Sequence, residues 1–353
     1  MKNFLRFIVG MAAVSLLAAC GNTATPSAGG DVTIKLLAHE SFVVSDKALA
    51  EFKKETGITV EVVTAGDAGT MVAGAVLAAG NPTADVLFGI DNTLMPNALR
   101  GDGIFEEYSS PALADVRDDV QQWTETRVVT PIDYADVCVN VDMKWFAQSG
   151  LPVPASIDVL TLPEYKNLLV IEDPAASSPG LAFLLAVHAR MGADGEAWWS
   201  ALKNNGVKVA ASWSDAYFND FTGGGGAGKY PMVVSYATSP VAEYVYAAEP
   251  KPTAVSTAVV TEGCFRQIEY AGVLRGTEHP AEARKVVDWM LSKKFQDEVA
   301  TNMFVFPALK TATIPDEFTK FSGVVSRPGV LPTNDIESAI PTLLEQWNRV
   351  MTS

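Results

Sequence analysis

Histidine and cysteine are scarce in this chain: there are three of each in 353 residues, and none stands at the spacing of a zinc site. The sequence therefore implies neither a bound metal nor a cofactor. Positive charge is scarce too, with 26 Lys and Arg against 41 Asp and Glu and a formal net charge of −15. A balance this acidic argues against nucleic acid or an anionic surface as partner. It accommodates a cationic ligand, although acidic surfaces also serve solubility. The apolar run from Phe7 to Leu17 is shorter than the roughly 20 residues that span a bilayer, and no internal repeat or second tether interrupts the chain after Asp31.

That short run sits in "MKNFLRFIVGMAAVSLLAAC", where Lys2 and Arg6 precede it and small residues follow, as in a secretory leader over residues 1–19. Loss of these two basic residues with the leader takes the net charge to −17. Leu17-Ala18-Ala19-Cys20 resembles the lipobox of bacterial lipoproteins, which makes Cys20 the lipidated first residue of the mature chain and a lipid anchor its hold on the membrane. The alternative is an ordinary cleaved leader with an incidental cysteine. Residues 20–30, small and polar, then form a flexible tether. Cys138 and Cys264 remain in an oxidising compartment, where they pair if their strands are neighbours and otherwise stay as two free thiols.

"TGGGGAGKYP" imitates a phosphate loop, since Gly223, Gly228 and Lys229 fit one nucleotide motif and Gly223, Gly225 and Gly228 another. Either motif needs a strand before the glycines and a helix after them. Here "SWSDAYFNDF" before them starts a helix and "YPMVVSYATSP" after them is a strand, and position 230 is Tyr where a magnesium-binding hydroxyl belongs. The stretch reads as a glycine-rich connection.

The body of about 330 residues is long enough for two lobes. "VTIKLLAHESF", "DKALAEFKKETG" and "ITVEVVTAGD" alternate strand, helix and strand; "GTMVAGAVLAAGN", "ADVLFGID" and "NTLMPNALRGDG" continue the pattern. This builds an open, largely parallel α/β sheet whose ligands sit outside the strands' carboxyl ends. The turns "HESF", "AGDAGT" and "GIDNT" follow those ends. "VVTPIDYADVCVNVD" leads as a strand into a second unit with its own smaller sheet, and "GCFRQIEYAGVLRG" returns as a second long strand. One helix over "HPAEARKVVDWMLSKKFQDEVATN" and a last one near "DIESAIPTLLEQWNRVM" complete the chain.

In order and spacing, "VLFGIDNTLM", "PIDYADVCVNVD", "IEDPAASSPGL", "SWSDAY", "VVSYATSP" and "FVFP" resemble the thiamine-binding proteins of bacterial ABC transporters, a class that also holds iron-binding relatives. The resemblance covers nearly all of the chain after the tether. It implies a bilobal periplasmic-binding-protein fold with hinge strands. Lobe 1 comprises residues 31–134 and 266–353, and lobe 2 residues 135–265. It also implies a monomeric binding protein, not an enzyme, that passes thiamine or thiamine phosphate to a permease. Trp213 matches the family's stacking tryptophan, and Tyr236 matches a pocket tyrosine. Tyr217 lies in the same "SWSDAY" segment, while Thr238 and Ser239 offer hydroxyls or N–H groups. Asp67 matches an acidic pocket residue, although a loop Asp also forms turns. Asp91 and Asn92 belong to "GIDNT". Ser177 and Ser178 open a helix whose N–H groups and dipole suit a phosphate, or Ser178 only caps it.

The chain departs from the family at three positions: His39 and Phe304 replace a tyrosine and a tryptophan, and Ala242 stands where a ring closes the pocket. Two alternatives stay open. One is a receptor for ferric iron or another small cation, using His39, Glu40 and tyrosines, although the adjacent tyrosine pair of iron-binding relatives is absent. The other is a thiaminase-like enzyme with Cys138 as nucleophile, a role that a bond to Cys264 abolishes.

Overall fold

The structure is a computed structural model and describes residues 32–352; the expected leader, Cys20 and the tether lie outside the described residues. In chain order the first elements are β1 (Val32–Ala38), α1 (Asp46–Thr56), β2 (Ile58–Thr64), α2 (Ala68–Leu77), β3 (Val86–Asp91) and α3 (Met95–Leu99). Then come β4 (Thr130–Asp142), α4 (Met143–Ser149), β5 (Leu169–Glu172), α5 (Ser178–Met191), α6 (Gly195–Asn204), β6 (Lys208–Ala210), β7 (Met232–Tyr236) and α7 (Ser239–Tyr246). The chain ends with β8 (Thr257–Val273), α8 (Pro280–Met290), α9 (Lys293–Met303), β9 (Phe306–Pro307), α10 (Asp316–Phe321) and α11 (Thr333–Met351).

Local chemistry sets the element ends. The Ser45 hydroxyl accepts the Ala48 N–H at the start of α1, and Gly57 closes that helix in the left-handed conformation with its N–H on the Lys53 carbonyl. Asp142 caps α4 by accepting the N–H groups of Lys144 and Trp145. β3 is buried along its whole length, as a central strand covered on both faces must be.

The sequence suggests a separate second sheet, but the nine strands form one, in the order β2-β1-β3-β8-β4-β7-β5-β6 with β9 paired to β4. The reason is the length of β4 and β8. They run antiparallel against each other from Thr130 opposite Ala271 to Asp142 opposite Thr257. At one end β3 joins β8 and β9 joins β4; at the other, β7 joins β4 through Val137–Val141. Each long strand thus serves both halves of the sheet. Their register shifts twice, between Pro131 and Asp133 and again between Val137, opposite Phe265, and Val139, opposite Val260. At the second shift Cys138 and Cys264, both buried, are joined as a disulfide.

A second difference concerns the expected single helix over residues 279–302. It is two helices, because Ser292 takes an extended conformation and caps α9 with its hydroxyl. Gln296 makes the break affordable: its side-chain amide donates to the Met290 and Ile132 carbonyls at 2.8 and 2.9 Å. The last helix, α11, packs on α5 and α6, with Trp347 buried and Arg349 2.8 Å from Glu196. The segment leading to it passes alongside β8, where Gly329 exchanges hydrogen bonds with Cys264 and Arg266, and Gly323 donates to Ala237.

The disulfide closes a loop between positions 126 residues apart in sequence. Its reduction is expected to lower the unfolding free energy by about 2–4 kcal/mol. Denaturant titrations with and without reductant check this; coincident midpoints would contradict it.

Candidate functional site

The turns leaving β1 and β2 face a cavity of about 580 Å³. His39 and Glu40 come from the first turn, Asp67 from the second, and Glu269 reaches in from β8. Ser178 at the start of α5, Trp213 after β6, Tyr236 at the end of β7 and Ser239 on α7 line it as well. Tyr217 and Phe304 complete the expected residues that are brought together here.

Four other expected residues are not in the lining. Asp91 is buried as a turn-former: one carboxylate oxygen accepts the Thr93 N–H, the Thr93 hydroxyl and the Leu94 N–H, and the other accepts the Ser178 hydroxyl at 2.9 Å. Burial pushes its pKa up to about 7 against those hydrogen bonds. Asn92 is spliced onto β8, donating to the Arg266 carbonyl and accepting the Ile268 N–H. Ser177 and Thr238 are buried immediately before α5 and α7.

Asp67 has two roles. One oxygen accepts the Ala68 N–H at 2.6 Å and so caps α2; the other accepts the Trp213 N–H at 2.9 Å and ties the two sides of the site together. The sides also meet where the Thr70 N–H donates to the Ala176 carbonyl at 3.2 Å. This approach needs Gly69, because a Cβ there would lie 2.5 Å from the Ala176 oxygen. Gly89, with φ of +88°, similarly makes room for the His39 ring.

The Trp213 ring is held on three sides. It stacks on Tyr217 at 5.1 Å and 20°, leans toward Tyr236 at 6.0 Å, and donates its Nε1–H to the Ser235 hydroxyl at 2.9 Å. The Ser235 hydroxyl in turn lies 2.8 Å from that of Ser239, which accepts the Tyr236 N–H. At the mouth Tyr246, three-quarters exposed, touches Phe304 across 5.4 Å. Tyr246 lies one helical turn after Ala242 on α7, so a ring is present near the place where Ala242 supplies none.

Electrostatically the cavity is one-sided. Glu40, Asp67, Glu243 and Glu269 line it, and neither Lys nor Arg does. His39 Nε2 stands 3.4 Å from Glu269 Oε1. Burial depresses the imidazole, but Glu269, Asp67 and Glu40 outweigh this and raise its pKa above the usual value. Asp133 lies directly opposite Glu269 across β4 and β8; burial first, then the Glu269 charge, hold its carboxyl well above the ordinary range. Burial also raises Asp67, against the hydrogen bond from Trp213.

Sequence reasoning missed Glu243, Tyr246 and Glu269. Glu243 has a helical position within "SPVAEY" that signals only an exposed face, and Glu269 looks like ordinary strand alternation. Glu243 is held by the N–H groups of Ser256 and Thr257. Gly224 and Gly225 of the glycine loop also line the cavity, with Gly224 against the Tyr217 hydroxyl, while Lys229 turns away onto Tyr230. Cys138, the nucleophile of the enzyme alternative, is consumed in the disulfide. Among the described residues no three His, Cys, Asp or Glu side chains group to hold a metal ion.

An α/β chain folded about two long shared strands, with an aromatic and acidic cavity at the strand ends, has the architecture of a two-lobed solute receptor. The chain belongs to the bacterial extracellular solute-binding proteins, whose family model matches residues 81–320. These are binding proteins and not enzymes. The chain is 29% identical to the thiamine-binding periplasmic protein of Brucella suis over 298 residues, 81% of this chain and 82% of that one. It is 26% identical to the thiamine-binding periplasmic protein of Escherichia coli over 272 residues, 77% and 78% of the two chains. A solved periplasmic thiamin binding protein shares the bilobal fold with a TM-score of 0.78 at 22% identity, over 91% of this chain and 96% of that one.

Two substitutions on α2 separate close approach from helix propensity. Gly69→Ala is expected to destabilise the protein by about 1–3 kcal/mol, because its methyl meets the Ala176 carbonyl. Gly74→Ala, with open space around it, is expected to stabilise by about 0.5–1 kcal/mol. Thermal unfolding of both variants reads the signs; equal signs would contradict the packing.

Proposed function

We propose that this protein binds thiamine, or a phosphate ester of it, between its two lobes and passes it to an ABC permease as a receptor anchored to the membrane through Cys20. One observation carries the reading: an aromatic wall of Trp213 and Tyr236 lines the same cavity as a set of carboxylates, with neither Lys nor Arg in the lining. Thiamine joins a cationic thiazolium to an aminopyrimidine. A fixed indole face suits either ring, and Asp67 and Glu269 suit the positive charge or the amino group. The names of the Brucella suis and Escherichia coli relatives support the same ligand. In this proposal lobe 1 spans residues 31–134 and most of 266–353, and lobe 2 residues 135–265, with α11 carried on lobe 2 by its packing against α5 and α6. Ligand contacts made from both lobes favour the closed arrangement by the difference in affinity between the two states.

Calorimetric titration of thiamine tests this. Trp213→Ala removes ring burial and a cation–π contact, together about 1.5–3 kcal/mol, so affinity is expected to fall roughly tenfold to a hundredfold. Lys229→Ala is expected to change it little. Absence of thiamine binding by the intact fold, or a loss confined to the Lys229 variant, would overturn the proposal.

The raised His39 pKa gives a pH dependence. A protonated His39 adds positive charge beside a bound cation, so binding favours the neutral imidazole. Affinity should therefore rise as pH rises through the His39 titration, which lies above the ordinary 6.5. Titrations across neutral pH should show that rise, and His39→Gln should flatten it; an unchanged profile would remove His39 from the site.

A further inference from the structure

We propose that Asp133 keeps a proton and donates it to Glu269 as a hydrogen bond, which holds Glu269 in the cavity as the counter-charge of a bound cation. Asp133 is thus a positioning residue for ligand binding, a role that rests on the solute reading above. The strand register places three carboxyls in one row across the three central strands: Asp91 of β3 and Asp133 of β4 both stand opposite Glu269 of β8. Of the three, Glu269 alone lines the cavity. Ionised carboxylates side by side in a buried row repel one another, and a proton on one of them relieves this.

The two outer members of the row differ in what they meet. Asp91 has donors for both oxygens, from Thr93 and Leu94 on one and from Ser178 on the other. Asp133 has none: its oxygens are buried and neither receives an N–H or O–H from the described residues. On its other flank β9 sets Pro307, which brings no polar side chain. The hydrogen-bond partner of Asp133 is the Glu269 carboxyl, and two carboxyl oxygens bond to each other only through a proton that one of them carries. Burial, and after it the Glu269 charge, favours the neutral form of Asp133. From the cavity side His39 Nε2 stands 3.4 Å from Glu269 Oε1, and Glu40, Asp67 and Tyr236 are the other titratable groups around this pair. Glu269 is therefore held by an O–H behind it and an imidazole in front.

Wild type, Asp133→Asn and Asp133→Leu test this, since asparagine keeps a donor of the same shape and leucine keeps the shape alone. A carboxyl that is neutral in the fold and ionised in the unfolded chain lowers stability increasingly as pH rises above about 4. Asp133→Asn should therefore gain thermal stability over wild type from there upward; a difference that does not change with pH overturns the retained proton. Glu269 is the strongest of the groups that raise the His39 titration against burial, and with three histidines in the chain its imidazole can be followed by NMR. That titration should stay in place in Asp133→Asn and fall toward the ordinary 6.5 in Asp133→Leu; the same response in both variants overturns the positioning. In calorimetry thiamine is expected to bind Asp133→Asn within about threefold of wild type and Asp133→Leu roughly tenfold or more weakly. Equal affinity of the two variants, kept or lost, overturns the role in binding. If the leucine variant does not fold, the asparagine variant decides alone: loss in it of thiamine affinity or of the raised His39 titration refutes the proposal. If thiamine binds none of these proteins, the proposed function falls, while stability and the His39 titration still decide whether Asp133 holds Glu269.

Discussion

The antiparallel pairing of β4 with β8 is the constraint on which the rest of the molecule depends. Each of its ends recruits its own strands: β3 and β9 at one, β7 and through it β5 and β6 at the other. Because the same two strands are core to both halves, the halves cannot be assembled separately and then docked. The cavity inherits its position from this arrangement. Glu269 lies on β8, Tyr236 ends the strand hydrogen-bonded to β4, and His39 and Asp67 leave the strands next in line. A residue change along the shared pair therefore acts on fold and site together.

The site shows how one carboxylate can serve both architecture and recognition. Asp67 holds the start of α2 and the backbone of Trp213, so the aromatic face and the acidic face are fixed relative to each other by a single side chain. Burial works against its ionised form and the two N–H donors work for it. Behind it, Asp133 opposite Glu269 adds a carboxyl that burial keeps well above the ordinary range. Concentrating acid in this way costs stability, which the large apolar core around β1, β3, β4 and β8 offsets.

Much of this was legible in the sequence, for identifiable reasons. Alternating strand and helix signals predict β1 to α3 because each has its own periodicity, and Ser45 and Gly57 mark the two ends of α1. The turns "HESF" and "AGDAGT" follow from the rule that ligands sit beyond strand ends, and His39 and Asp67 do line the cavity. What was not legible depends on three dimensions. Whether "VVTPIDYADVCVNVD" belongs to one sheet or two depends on which strands flank it. Ser292 breaks a helix only because Gln296 is placed to satisfy the freed carbonyl. Asp91 and Asn92 have the same residue types as pocket groups, yet their hydrogen bonds turn them to the turn and to β8. Tyr246 gave no signal, since an exposed tyrosine on a short helix means nothing until Phe304 is seen beside it.

The segment before α11 passes alongside β8, hydrogen-bonded at Gly329 to Cys264 and Arg266, and then delivers α11 to α5 and α6. The polypeptide therefore crosses between the halves three times and not twice. Any movement of one half against the other therefore has to carry this third length of chain, held to Cys264 and Arg266 at Gly329 and to Ala237 at Gly323, along with the two long strands.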